Sequence, residues 1–190
     1  MLDRGACERR VYRLATLLTG NPNAATKVIK RVLSAQPDLA ELDSAHMDRL
    51  TVLRSRELRP AALVSELVAP RLSQALARLP AQQREAWVFA RVYATPEREM
   101  SRAMDCSVTA TQRHLEQAEQ ALEAQLGPAA SEAAPGLLRY SMTLDVPEFY
   151  RQQELRRRRI RLSLKLAALA AAAALLGALI LFWTRPFSPT

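Results

Sequence analysis

Residues 104–119 read MDCSVTATQRHLEQAE, and this stretch decides the fold of the central part of the chain. Ser107 is suited to the N-cap of a helix, because its hydroxyl oxygen can accept a hydrogen bond from a backbone N–H group in the first turn. The sequence therefore predicts a long helix over 107–126, with a short turn directly before it. A shorter helix is predicted over 96–104, since Pro96 favours the first position of a helix.

Two helices joined by a short turn form the helix-turn-helix layout, in which the N-terminal part of the second helix enters the major groove of DNA. We expect the two helices to meet through four apolar side chains, with a small residue at Ser101. The four are Met100, Met104, Val108 and Leu115. A helical hairpin without any role in DNA binding would show the same pattern, so both interpretations stay open at this level.

The composition indicates an all-α protein. The chain has 190 residues, of which 49% are apolar and only five are glycine. Alanine, leucine, arginine and glutamate dominate, and these residues favour helices. Apolar periodicity and the positions of prolines predict further helices over 8–18, 24–33, 46–58, 71–79 and 81–93.

No pattern of catalytic residues is present in the sequence. Cys7 and Cys106 stand far apart without a histidine at the spacing of metal ligands, so neither a disulfide framework nor a metal site is predicted. His46 and His114 are isolated, and no glycine-rich loop could hold a phosphate group. We therefore expect no enzymatic activity, no catalytic residues and no cofactor.

The net charge of +8 indicates anionic partners, either nucleic acid or lipid head groups. A basic cluster between Arg156 and Arg161 accounts for much of this charge. It precedes about 18 uncharged residues that begin at Leu166 and end at Trp183, enough to span roughly 27 Å as a helix. These features predict a single transmembrane helix, contact of the basic cluster with lipid, and cytoplasmic N-terminal domains by the positive-inside rule.

Residues 72–126 resemble region 4 of bacterial RNA polymerase sigma factors of the extracytoplasmic-function type. The resemblance is carried by LP followed by QQRE, by the turn DCS and by the ending RHLEQAEQAL. Residues 11–33, VYRLATLLTGNPNAATKVIKRVL, resemble the start of region 2 in the same family. The resemblance implies promoter DNA and the RNA polymerase core as partners.

The resemblance also implies which residues contact DNA. Two lie on the first helix of the pair, where they would contact phosphate, and the others lie on or next to the second helix, where they would face the groove. These residues are Arg98, Arg102, Ser107, Thr109, Thr111, Gln112, Arg113 and Glu116. Three features depart from the family. Glu116 and Glu119 stand where basic residues are usual, and the later part of region 2 lacks the aromatic residues that would stack on melted bases. Residues 23–30 are neutral or basic where the family carries acidic residues that bind the polymerase clamp.

We accordingly expect a membrane-anchored, sigma-factor-like transcription regulator of the bacterial inner membrane. The expected order is a region 2-like domain at 1–60, a region 4-like helix-turn-helix domain at 61–126, a linker at 127–143, a basic juxtamembrane helix at 144–165, the transmembrane helix at 166–183 and a tail at 184–190. The alternative is a degenerate sigma-like module that binds another protein, such as a sigma or anti-sigma protein, and does not bind DNA.

Overall fold

A computed structural model of the chain places all of its regular secondary structure in helices, within the part of the chain that it describes. The described residues are 4–36, 39, 42–127, 129–148, 150, 152, 159–160, 163–164, 166–167 and 175–176. Residues up to Val146 belong to one compact unit, and Pro147 begins a second one. The first unit contains every helix discussed below.

The N-terminal part of the first unit consists of three helices. They are α1 (Arg4–Thr19), α2 (Pro22–Ala35) and α3 (Ser44–Arg56). Local capping explains where two of them begin: the Asn21 side chain accepts a hydrogen bond from the backbone N–H of Asn23 at 2.8 Å, and Asp43 accepts one from His46 at 2.7 Å. The apolar face of α1 is buried, as its periodicity predicts.

Gly20 forms the tight turn between α1 and α2. Its φ of +66° lies in the left-handed region, which glycine enters without a steric penalty. A Cβ atom at this position would lie 1.6 Å from the backbone oxygen of Ala61. Ala61 in turn donates a backbone hydrogen bond to Thr19 at 2.8 Å, so the segment after α3 is held against the end of α1.

The remaining helices of the unit pack around a shared apolar core. They are α4 (Pro70–Arg78), α5 (Ala81–Trp87), α6 (Glu97–Met104), α7 (Val108–Leu126), α8 (Ala129–Glu132) and α9 (Ala134–Thr143), and α5 continues into a π-helical turn at Val88–Val92. Trp87 and Phe89 are buried in this core together with Leu14 of α1 and Leu137 of α9. The N-terminal helices and the later ones therefore share one core.

The end of the helix predicted over 81–93 differs from the prediction. Tyr93 donates its backbone hydrogen bond to Val88, five residues earlier, at 3.2 Å. This i→i+5 pattern widens the last turn into the π-helical turn. No local propensity in the sequence signals such a turn.

Residues 127–143 were expected to form a linker, but the structure places α8 and α9 in this stretch. Leu137 and Ala134 are buried in the core. A Cβ atom on Gly136 would lie only 2.6 Å from the backbone oxygen of Leu67. The small residues that suggested a linker are needed because α9 packs closely against the segment before α4.

The predictions of a transmembrane helix and of a location in the inner membrane are wrong. None of the helices formed by the described residues is long and apolar enough to cross a membrane. Alanine occupies seven of the eight positions 167–174, and its methyl group adds little apolar area. Within the predicted span 166–183, only 166–167 and 175–176 belong to the described residues, and most of the basic cluster also lies outside them.

Candidate nucleic-acid interface

The turn between α6 and α7 is set by three consecutive residues. Asp105 has φ 57° and ψ 46°, a left-handed conformation that ends α6. Cys106 donates its backbone N–H to the carbonyl of Ser101 at 3.1 Å. Ser107 then caps α7 by accepting a hydrogen bond from Ala110 at 3.1 Å, as the sequence predicts. The helix-turn-helix geometry is therefore present.

The contact between α6 and α7 uses most of the predicted apolar residues. Met100, Ser101 and Met104 are all buried. Val108, predicted to lie between the helices, is 36% exposed instead. It occupies the first position of α7 and points toward solvent, and the buried residues of this helix are Thr111, Ala118 and Leu122.

The structure brings seven of the eight predicted DNA-binding residues to the surface. These are Arg98, Arg102, Ser107, Thr109, Gln112, Arg113 and Glu116. Thr111 is the exception, since it is only 1% exposed. Its hydroxyl donates to the backbone oxygen of Ser107 at 3.1 Å and lies 3.1 Å from the sulfur of Cys106. Thr111 thus stabilises the turn from inside and does not face a groove.

Three arginines supply the positive charge of this surface. Arg98, Arg102 and Arg113 form no salt bridge with any described residue. Their guanidinium groups are therefore available to an external anion. Gln112 is less available, because its side-chain amide donates to the carboxylate of Glu97 at 3.1 Å.

Glu119 is neutralised by a partner that sequence reasoning missed. Arg91, in the π-helical turn, donates to the Glu119 carboxylate, with Nε at 2.6 Å. The two residues lie 28 positions apart, so no local sequence pattern signals the pair. Glu116, by contrast, forms no salt bridge within the described residues, and it keeps its negative charge on the outer face of α7.

Helix α3 is connected to the helix-turn-helix through Arg56. Arg56 donates to both carboxylate oxygens of Glu85 on α5, at 2.9 and 2.7 Å, and also to the backbone oxygen of Met104 at 2.9 Å. Glu85 is only 2% exposed. The hydrogen bonds to this carboxylate raise the pKa of Arg56. A buried charge is thus compensated by a residue from the N-terminal helices.

A second arginine of α3 holds the turn itself. The Arg49 Nε atom donates to the Asp105 carboxylate at 3.0 Å. This hydrogen bond lowers the pKa of Asp105. Asp105 is the left-handed residue of the turn, so the ion pair fixes the residue on which the angle between α6 and α7 depends.

Arg84 has a structural role that the sequence did not reveal. It is 5% exposed, and its guanidinium donates to the backbone oxygen of Leu79 at 3.0 Å. This bond satisfies a carbonyl at the C-terminal end of α4, where the helix itself offers no partner. Burial lowers the pKa of Arg84. The residue therefore connects α4 to α5 and is not available to DNA.

The comparison with known families agrees with this geometry. Residues 70–122 match the family model described as Sigma-70, region 4. The matched range begins with α4 and ends within α7, so it contains the helix-turn-helix. Comparison with curated proteins gives no match. Residues 70–122 are thus similar to region 4 of sigma-70.

Proposed function

We propose that this chain is a sigma-factor-like transcription regulator of the extracytoplasmic-function type, which binds promoter DNA through α6 and the first turns of α7 and also binds the RNA polymerase core. One observation carries the proposal. Arg98, Arg102 and Arg113 are exposed on the helix-turn-helix without a carboxylate partner among the described residues. The match to region 4 supports the same function.

The roles of the exposed residues follow from their chemistry. Arg113 can donate two hydrogen bonds to the major-groove edge of guanine, the commonest sequence-specific contact of arginine. Thr109 can reach either a base edge or a phosphate from the first turn of α7. Arg98 and Arg102 on α6 would contact phosphates, which position the protein but do not read sequence.

The affinity for DNA should be modest. Each phosphate neutralised contributes about −0.9 to the slope of log K against log salt. Three free arginines therefore predict a slope of about −2 to −3. Glu116 opposes binding because its carboxylate lies on the same outer face of α7.

The proposed organisation assigns 1–60 to a region 2-like part that binds the polymerase core. Two observations support this assignment: the resemblance of residues 11–33 to region 2, and the packing of α1, α2 and α3 as neighbours. Promoter melting is not part of the proposal, because residues 40–60 contain no Phe, Tyr or Trp that could stack on an unpaired base.

Salt-dependent binding to DNA tests the proposal. The full chain is used to enrich duplexes from a random pool, and the affinity for the enriched duplex is measured by fluorescence anisotropy over a range of salt concentrations. Arg113→Ala should weaken binding by about 1–3 kcal/mol and relax specificity at one position. Arg102→Ala should reduce the salt slope by about 1.

Arg59→Ala is the matched control, because Arg59 is exposed and lies outside the helix-turn-helix. This variant should bind the enriched duplex as the unaltered chain does. Failure to enrich any duplex, or binding that does not depend on salt, would contradict the DNA-binding function.

A second candidate function is a protein-interaction module that does not bind DNA. Acidic residues on the surface of α6 and α7 favour this function. Glu116 is exposed on α7, and Glu97 and Glu99 are exposed in the first turn of α6. Glu116→Gln separates the two candidates. It should strengthen DNA binding under the first, whereas under the second it should weaken capture of a sigma or anti-sigma protein and leave DNA binding absent.

A further inference from the structure

A cavity of about 330 Å³ lies between α1, α3, the π-helical turn and the end of α9. Its volume is at the lower end of the roughly 300–1,000 Å³ that is typical of ligand pockets. Its lining includes three arginines, one carboxylate and two aromatic rings, namely Arg9, Arg10, Arg13, Asp48, Phe89 and Tyr93. The cavity is separate from the surface of α6 and α7 that we assign to DNA.

The charges that line the cavity do not cancel. Asp48 is matched by Arg10, which donates to it at 2.9 and 2.6 Å. Arg13 donates to the backbone oxygens of Leu144 and Met142, both at 3.0 Å. Carbonyl oxygens satisfy its hydrogen bonds but leave its charge uncompensated.

Arg9 forms no salt bridge within the described part of the chain. Together with Arg13 it gives the cavity an excess of two positive charges over the lining carboxylate. Glu99 also acts electrostatically on the Arg10–Asp48 pair, and it lies on α6 outside the lining. The net charge therefore favours an anion.

Apolar side chains also line the cavity. Leu14 and Phe89 are buried, and Met142, which also lines the cavity, is 61% exposed. Apolar side chains beside uncompensated arginines suit a ligand with a charged head and an apolar body. The exposed position of Met142 leaves the cavity open to solvent on that side.

The backbone beside the cavity is irregular at the residues that carry its aromatic rings. Phe89 belongs to the π-helical turn, and Tyr93 is its C-terminal cap. Ala94, the next residue, has a φ of 49°, which a residue with a side chain rarely adopts. Such π-helical turns are frequent at functional sites.

We propose that this cavity binds a small organic anion, with its carboxylate or phosphate head between Arg9 and Arg13 and its apolar body against Leu14 and Phe89. Arginine suits this role because its planar guanidinium group matches the geometry of both oxyanions. The proposal does not depend on DNA binding or polymerase binding, so it can fail or succeed independently of them.

Isothermal titration of the full chain with octanoate tests the proposal, with octanamide as a neutral ligand of the same length. Octanoate should bind at one site. Octanamide should bind with an affinity lower by a factor of about ten or more, because it lacks the charge. The ring resonances of Tyr93 should shift in NMR spectra when octanoate is added. Equal binding of the two compounds, or no saturable binding of octanoate, overturns the proposal.

Two variants and a control test where the ligand binds. Arg9→Gln should weaken octanoate binding about tenfold, and because Arg9 forms no salt bridge with another described residue, the fold should be retained. Ala6→Leu should prevent binding by filling the cavity, since Ala6 lines it and leucine favours helices. Arg71→Gln, an exposed arginine outside the lining, should bind octanoate normally. Unchanged affinity in Arg9→Gln overturns the assigned position of the head group.

Discussion

The guanidinium of Arg56 on α3 donates two hydrogen bonds, of 2.9 and 2.7 Å, to the carboxylate of Glu85 on α5. Glu85 is almost entirely buried, whereas Arg56 is one-quarter exposed. The pair therefore joins the N-terminal helices to the helix-turn-helix through a charge that solvent cannot reach. Its loss should affect the whole unit.

Arg56→Ala should destabilise the protein by about 3–5 kcal/mol, because it leaves the Glu85 carboxylate buried without a cation. Urea denaturation measures the change in the free energy of unfolding. Arg54→Ala is the control: Arg54 pairs with Glu57 at 2.9 Å on the surface, and such pairs contribute about 0–1 kcal/mol. Equal effects of the two substitutions would show that burial of Glu85 has no energetic consequence.

Arg91→Ala should weaken DNA binding although Arg91 lies outside α6 and α7. The substitution releases the Glu119 carboxylate, which then adds a further unpaired acid to α7, close to Glu116. The double variant R91A/E119A should recover most of the lost affinity, because it removes the acid as well. Anisotropy at low salt is the measurement, since repulsion between exposed charges is screened at high salt. A double variant as weak as R91A would mean that Arg91 itself contacts DNA.

Gly20→Ala should be more destabilising than Gly127→Ala. Both glycines have positive φ, of 66° and 62°, so both substitutions carry a conformational cost of about 1–3 kcal/mol. A Cβ atom on Gly127 meets nothing within 4 Å, whereas one on Gly20 would overlap the Ala61 oxygen. Gly127 also has ψ −151°, in a region that is essentially restricted to glycine. A greater loss in Gly20→Ala than in Gly127→Ala, measured by thermal or urea denaturation, would therefore reflect the contact with Ala61. Similar losses would argue against the close contact at Ala61.

Because Tyr93 is partly buried, the free energy of unfolding should depend on pH in the alkaline range. Burial raises the pKa of Tyr93 to about 12, from 10.0 for an ordinary tyrosine. A raised pKa in the folded state means that stability is fully present below about pH 10 and is lost as the pH rises toward 12, by about 2–3 kcal/mol in all. Tyr93→Phe should flatten this decline, and the absorbance of phenolate should report the titration directly.

A residual decline is expected in Tyr93→Phe, because burial also raises the pKa of Tyr12 and Tyr140. If the variant loses stability with pH as steeply as the unaltered protein, Tyr93 does not titrate in the way its burial requires.

The sequence was sufficient to locate α7, because its signals are local. A serine cap and an apolar periodicity are read from neighbouring positions, and the helix begins at Val108 after Ser107 and ends at Leu126. The inward position of Thr111 was not predictable in the same way. It depends on how α7 is rotated against α5 and α6, and a threonine suits both the surface and the interior.

Long-range ion pairs escaped sequence reasoning for a similar reason. Arg91 and Glu119, like Arg56 and Glu85, lie more than 25 positions apart, and most of the helices from α1 to α7 offer several charged residues as alternative partners. The stretch 127–143 was misread because small residues are typical both of linkers and of helices that pack closely, and only the contact of Gly136 with Leu67 distinguishes the two.

The cation that compensates Glu85 comes from outside the range that matches region 4. A fragment cut to 70–122 would keep the Glu85 carboxylate and lose Arg56, together with Leu14 and Leu137 from the shared core. The segment that matches region 4 is therefore shorter than the segment that encloses its core, and an isolated fragment of that length would need a new cation for Glu85 and new apolar contacts.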